Sequence, residues 1–320
     1  MGGGYVAKYL GKRFVALVAI VFLVSVGAFY LVHLLPGDPT VAILGPNDTA
    51  HNKAILMAQL GLNKPLYEQY FIWAGHIFEG NFGQSYVTHQ TVLSTMATAV
   101  PIDIELIVIS QIIAFAIAIP LALLAARRPN KRLDRYSTTA TFAGLALPPF
   151  ILAPLLVLIF CVHWHIFPGP ASYVPISQSL SANLNSMILP SIILAIGSIV
   201  VYFRLLRNDL IATLQEDFIT MARSKGMTDR RILLKHAFRP SSVSLLASAG
   251  INIGALIAGT FVVEYLLQIP GLGYELVTAI NQTDYIVVQS IVLVVAIAVV
   301  IINFIVDFLF SVVDPRIARE

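Results

Sequence analysis

Six stretches of this chain are apolar over lengths that suit a bilayer: Phe14 to Leu35, Leu106 to Ala126, Ser137 to Val162, Met187 to Phe203, Ser242 to Val263 and Ile286 to Val313. A helix of about 20 apolar residues crosses the hydrocarbon with its backbone groups paired internally. Composition points the same way. Of 320 residues, 58% are hydrophobic and only 12% charged, whereas soluble domains carry about 25% charge. A water-soluble globule is excluded. The fold class expected is an all-α polytopic membrane protein with six transmembrane helices. The first stretch reads as an anchor instead of a cleaved signal, because Leu35-Pro36-Gly37-Asp38-Pro39 follows it where a small-residue cleavage site would stand.

Basic residues fix the expected orientation, since loops rich in Lys and Arg stay in the cytoplasm. Lys8, Lys12 and Arg13 precede the first stretch, and Arg127, Arg128, Lys131, Arg132 and Arg135 lie between the second and third. Eight more separate the fourth from the fifth, and Arg316 and Arg319 follow the sixth, leaving only Lys53 and Lys64 for the opposite side. Both termini are therefore expected in the cytoplasm. The net charge of +3 needs no nucleic-acid partner to explain it.

Two connecting segments exceed ordinary loop length. The outer one, Pro36 to Val100, carries an apolar-periodic stretch from Ile55 to Leu60, then Tyr67, Tyr70, Phe71 and Trp73 at helical spacing, and closes on Gly80-Asn81-Phe82-Gly83-Gln84-Ser85. It reads as a small extracytoplasmic helical subdomain, or else as a flap on the membrane surface, where aromatics also gather. The inner one, Arg204 to Ser241, places Leu210, Ile211, Leu214, Phe218 and Ala222 on one helical face, stops at Gly226, and restarts after Thr228 with Ile232, Leu233 and His236 as a buried stripe. The pattern is a helix, a tight turn and a helix. DNA recognition is excluded by geometry, because both ends are tied within a few residues to membrane spans. A solvated amphipathic pair lying on anionic lipid is the other reading.

Polar residues inside the spans are few. Asn252, Asn303 and Asp307 are read as hydrogen-bonding groups between helices in preference to substrate contacts. Pro120, Pro148, Pro149, Pro154 and Pro190 are expected to kink their helices. The lone Cys161 can form no intrachain disulfide, and His163 and His165 beside Trp164 lack a third ligand at metal-site spacing. No phosphate loop of the Gly-x-x-x-x-Gly-Lys-Ser/Thr type and no His-Glu-x-x-His motif is present. The two halves differ, against a self-sufficient secondary transporter built from repeats. No catalytic, cofactor-binding or metal-binding residue is assigned.

Asp217-Phe218-Ile219-Thr220-Met221-Ala222-Arg223-Ser224-Lys225-Gly226 resembles the cytoplasmic coupling loop of permease subunits in ABC importers of the dipeptide, oligopeptide and nickel branch. Other segments resemble the same family in order: Leu35-Pro36-Gly37-Asp38-Pro39, Gly80 to Ser85, Leu133-Asp134-Arg135, Leu147-Pro148-Pro149-Phe150, Val263-Glu264-Tyr265 with Pro270-Gly271-Leu272-Gly273, and Asp314-Pro315-Arg316. Thr220 and Met221 stand where the wider importer pattern has Glu and Ala, so only Ala222 and Gly226 fit that pattern.

The resemblance, closest to the first (B-type) permease subunit, implies a division into an N-terminal segment with the first span (1–35), an extracytoplasmic helical insertion (36–100) and a permease core (101–320) containing the coupling loop 204–241. It implies that Glu216, Asp217, Phe218, Ala222, Arg223, Lys225 and Gly226 couple to an ATPase. Glu264, Pro270, Gly271, Leu272 and Gly273 would lie on the outer-gate and binding-protein side. The implied partners are a second homologous permease, two cytoplasmic ATPases holding ATP and Mg, an external substrate-binding protein and the bilayer. The implied location is the bacterial plasma membrane. Peptides are the implied substrate, with nickel chelates or another small solute as the alternative.

Overall fold

The computed structural model describes residues 3–34, 44, 49–59 and 63–313; the motifs at 35–39 and 314–316 lie outside them. Among the described residues the regular structure is helical, apart from one isolated bridge pairing Gln84 with Thr91. The chain forms two compact units, one of residues 1–103 with 270–320 and the other of residues 104–269.

The first unit contains α1 (Gly3–Leu34), α2 (Ala50–Gln59), α3 (Leu66–Phe78), the opening of α4 (Val92–Arg127), α10 (Leu272–Asn281) and α11 (Tyr285–Val313). α11 packs against α1 and α10, with Ile291 and Leu293 fully enclosed. α3 lies against α1 through aromatic rings: Tyr70 meets Phe22 and Phe29 edge-on, Trp73 tilts against Phe29, and the Tyr70 hydroxyl is 2.8 Å from Ser25 Oγ.

The second unit takes the rest of α4, then α5 (Arg132–Ala146), α6 (Pro149–Val157), α7 (Leu180–Thr213), α8 (Asp217–Ser224) and α9 (Asp229–Leu267). Its core forms where α4 offers small residues. Ala114, Ala118, Ala122, Ala125 and Ala126 make a stripe at near four-residue steps, packed with Tyr202, Phe203, Leu206 and Leu210 of α7 and Leu245 and Ala249 of α9. Small residues let membrane helices approach closely, which replaces the hydrophobic drive that lipid removes.

A buried polar knot ties the same three helices. The Tyr202 hydroxyl donates to Gln111 Oε1 at 2.7 Å, while Asn252 Nδ2 donates to that hydroxyl at 3.0 Å and to Ser198 Oγ at 2.6 Å. Phe115 stacks on the Tyr202 ring, with centroids 5.0 Å apart. Asn252 thus has the interhelical role expected of it. Asn303 is exposed, and the Asp307 side chain lies outside the described residues.

Among the described residues, four helices are long and apolar enough to cross a membrane: Val92–Arg127, Leu180–Thr213, Asp229–Leu267 and Tyr285–Val306. Val15–Tyr30 is a shorter apolar helix. The expected third span is not one straight rod. α5 and α6, the latter continued by a π-helical segment at Leu158–His163, meet at a 101° bend. Leu147 leaves the helix at the break, because Pro148 and Pro149 disfavour helical backbone before them and withhold two amide donors. Pro120 and Pro190 sit inside continuous helices.

Tyr202→Phe keeps the stacked ring and deletes the hydroxyl at the centre of the knot. Thermal unfolding in detergent should show a loss of about 1 kcal/mol, the scale of one hydrogen bond between membrane helices. An unchanged midpoint would mean the knot contributes nothing to holding the three helices.

Candidate functional site

The 204–241 segment forms a compact corner. α7 runs ten residues beyond Phe203 and ends at Thr213; Leu214 then caps it, with its amide reaching the Leu210 carbonyl. Glu216 is extended, and Asp217 opens α8 with an acid at the positive end of the helix dipole. This break shifts the helical phase, so the apolar face expected to continue through Phe218 does not. Ile219 takes the buried place instead, with Ala222 and Ile232, and with Leu214 and Met227 packed on them. Phe218 is 44% exposed and Met221 56%. They stand three residues apart on the outward face, among the exposed Glu216, Asp217, Arg223 and Lys225.

α8 ends in a Schellman motif. Gly226, at φ +75°, donates its amide to the Arg223 carbonyl at 2.9 Å, and Met227 donates to Ala222 at 3.2 Å. The Met227 side chain folds onto the same small core, which supplies the apolar contact that usually accompanies this cap. A Cβ at 226 would meet nothing within 4 Å, so glycine is needed there for its backbone alone. Thr228 precedes α9 in extended conformation without a side-chain cap bond. α9 starts as one α turn, widens into a π-helical segment at Ile232–Ala237, and resumes at Phe238. Pro240 lacks the amide that an α-helix would use on the His236 carbonyl, and the wider turn lies just ahead of it.

Polar bonds lash the corner to neighbouring helices. Thr213 Oγ1 and Ser241 Oγ are 3.1 Å apart, and Ser244 donates to Asp209. Arg207 grips Asp134 at the start of α5 with two parallel bonds, its Nη2 2.7 Å from Oδ2, while the Asn130 amide donates to the same oxygen. Such a fork is the strongest form of ion pair, because both charge and plane must match. Sequence reasoning noted Asp134 only as part of a motif and missed its partner. The signal lay in a single acid among basic residues.

The first unit holds a second built feature. Gly83, at φ +84°, lies against Ile286. Ser85 Oγ donates to Asp284 Oδ2 at 2.5 Å in a buried contact, and Ser290 Oγ donates to the Phe82 carbonyl at 3.1 Å. The Gly80 to Ser85 motif is therefore a clamp on the start of α11. Burial, with the Asp284 carboxylate beside it, raises the Tyr86 phenol to about 12, so it stays neutral at any physiological pH. Pro270 and Gly271 lead into α10, whose first amide, Leu272, donates to Asp103 Oδ1 at 3.0 Å. Pro270 is exposed, whereas Gly271, Leu272 and Gly273 are buried. Glu264, in the second unit, is fully buried near the end of α9.

Residues 118–319 match the family model described as binding-protein-dependent transport system inner membrane component, and residues 6–107 match the model of the N-terminal part of such membrane components. The chain belongs to that family. Similar relatives include the oligopeptide transport system permease protein AppB of Bacillus subtilis (strain 168), 32% identical over 97% of this chain and 99% of its own. The dipeptide transport system permease protein DppB of Lactococcus lactis subsp. cremoris (strain MG1363) is 30% identical over 97% and 99%. The glutathione transport system permease protein GsiC of Escherichia coli O1:K1 / APEC is 32% identical over 97% and 98%. The chain is a multi-pass membrane protein and a permease component of a binding-protein-dependent transport system. Among the described residues, the 204–241 corner and the Gly80 to Ser85 clamp each hold a fixed shape at a helix end.

Gly80 and Gly83 both have positive φ, but only Gly83 is also crowded, since a Cβ there would come within 2.8 Å of Ile286 Cγ2. Gly80→Ala should cost about 1–2 kcal/mol from backbone strain alone. Gly83→Ala should cost more and recover part of the difference when combined with Ile286→Ala. Equal thermal shifts for the two single variants would remove the clamp argument.

Proposed function

We propose that this chain forms half of the translocation pathway of an ATP-driven importer, with peptides as its substrate class. The names of the oligopeptide and dipeptide relatives support that class. In this reading six spans cross the plasma membrane, with both termini in the cytoplasm and residues 36–100 outside. The second permease is homologous and pairs with this chain. Two cytoplasmic ATPase subunits hold ATP and Mg, and an external binding protein delivers the peptide. This chain needs no cofactor of its own and catalyses no reaction.

The observation that carries the coupling role is the exposed pair Phe218 and Met221 on a helix whose opposite face is locked down. An apolar pair ringed by Glu216, Asp217, Arg223 and Lys225 suits a groove on a protein partner, because lipid alone would leave the acidic residues unmatched. Motion of an ATPase pressing on α8 reaches the membrane helices only if α8 cannot swivel. The Gly226 cap, the Ile219 core and the bonds from Thr213, Asp209 and Arg207 remove that freedom, so displacement of the corner becomes displacement of α5, α7 and α9. A ligand-driven shift of this kind needs differential contact in two states. Nucleotide supplies that difference in the ATPases, and α8 passes it on. The same reading assigns Glu264 of the second unit, and Pro270, Gly271, Leu272 and Gly273 of the first, to the outer gate near the binding protein.

Three results test this. Gly226→Val should cost about 1–2 kcal/mol at the cap and depress uptake in an assembled complex that still binds nucleotide. Gly226→Asn, which tolerates left-handed backbone, should keep it. Equal uptake in both would free the corner of its coupling role. A cysteine at Thr49 should react with an impermeant reagent added to intact cells, and reaction only after lysis would invert the topology. Tagged protein purified in mild detergent should bring two ATPase subunits with it; a chain that comes alone and transports alone is a different kind of carrier.

A further inference from the structure

α3 divides into three stripes. At about 100° per residue, Tyr70, Trp73 and Ile77 fall together, and Tyr70, only 8% exposed, and Trp73 meet α1. Tyr67, Phe71 and Phe78 form a second stripe roughly 40° wide, adjacent to the first, and are 61%, 67% and 92% exposed. Glu68, Gln69, Gly75 and His76 occupy the remaining side, with Ile72 the one apolar side chain among them.

The depth of this helix follows from its partner. Tyr70 touches α1 at Phe22, Ser25 and Phe29, and these residues lie within Val15–Tyr30, the apolar part of α1. Phe22 is at its middle, and Phe29, which meets both Tyr70 and Trp73, is one residue from its end. Val18, Phe22 and Leu23 of that helix are themselves exposed, as lipid-facing side chains of a membrane helix are. A helix packed from the middle of that segment to its end borders the bilayer, and its exposed aromatic stripe lies beside the stripe that meets α1.

We infer that α3 is an interfacial helix whose Tyr67, Phe71 and Phe78 stripe rests in lipid, while Glu68, Gln69 and His76 face the aqueous side. Amphipathic helices with aromatic apolar faces bind bilayers in this way, and tyrosine favours the headgroup level. The occupant is the bilayer, because the helix that carries the stripe packs on a segment that already requires lipid. The helix anchors the outer segment laterally and fixes the Gly80 to Ser85 clamp, which follows it by two residues, at a constant height. The leaflet rests on the proposed orientation; the lipid contact does not.

The test uses the assembled transporter in nanodiscs, in a Cys161→Ser background, with nitroxide labels at Phe71→Cys, Phe78→Cys and Glu68→Cys in separate samples. Collision with oxygen, which concentrates in lipid, should dominate at 71 and 78, and collision with aqueous chromium oxalate should dominate at 68. Ready access of chromium oxalate to 71 and 78 would overturn the inference. Shielding of 71 and 78 from both reagents would also overturn it, by showing a protein neighbour in place of lipid. The readout needs neither nucleotide nor transport, so it stands or falls apart from the proposed function, and Thr49 labelling separately reports the leaflet.

Discussion

In hydrocarbon a backbone amide has no water to bond, and every other feature of this chain is arranged around that fact. It makes the membrane-crossing elements helical and forces departures from helix to be compensated. The break at Leu147 to Pro149 is tolerable because two prolines remove two donors at the same place. Side-chain polarity inside the bundle obeys the same rule. Gln111, Ser198, Tyr202 and Asn252 are admitted together, as a bonded set that joins three helices.

Once the bundle is settled by helix packing, fixed geometry is concentrated at helix ends, where charge and hydrogen bonding are affordable. The Arg207 and Asp134 fork, the Asp209 and Ser244 bond and the Thr213 and Ser241 bond all start from the last two turns of α7, just ahead of α8. The Ser85 and Asp284 contact does the equivalent for the first unit. Each converts a flexible connection into a shape that two states of a transporter can carry as a rigid piece.

Much of this was legible from residue order. Apolar run length located the four long membrane helices, glycine before a helix restart located the corner, and Pro270-Gly271 located the approach to α10. Three things were not legible, for physical reasons. Phe218 reads as buried if one helix phase runs from Leu210 onward, but the turn at Leu214 to Glu216 resets the phase and exchanges Phe218 for Ile219. The Asp134 partner is 73 residues away, and no local pattern marks which of many basic residues will meet an acid. Leu272 is set by the resemblance on the outer-gate side, yet its amide is bonded to Asp103 and its side chain is buried. Long-range pairing is decided by packing, which periodicity does not encode.

The π-helical segment at Ile232–Ala237 has a consequence for how this chain can change length. In it the Phe238 amide bonds five residues back, to Leu233, where an α-helix bonds four back. A single wide turn of this kind is an α-helix holding one surplus residue without passing the extra rotation along. Deleting one residue there would restore plain α geometry and leave Asp229 to Arg231 at the same angle around α9. The connection between corner and span is thus a vernier: it can give up one residue while the faces on either side keep their aim.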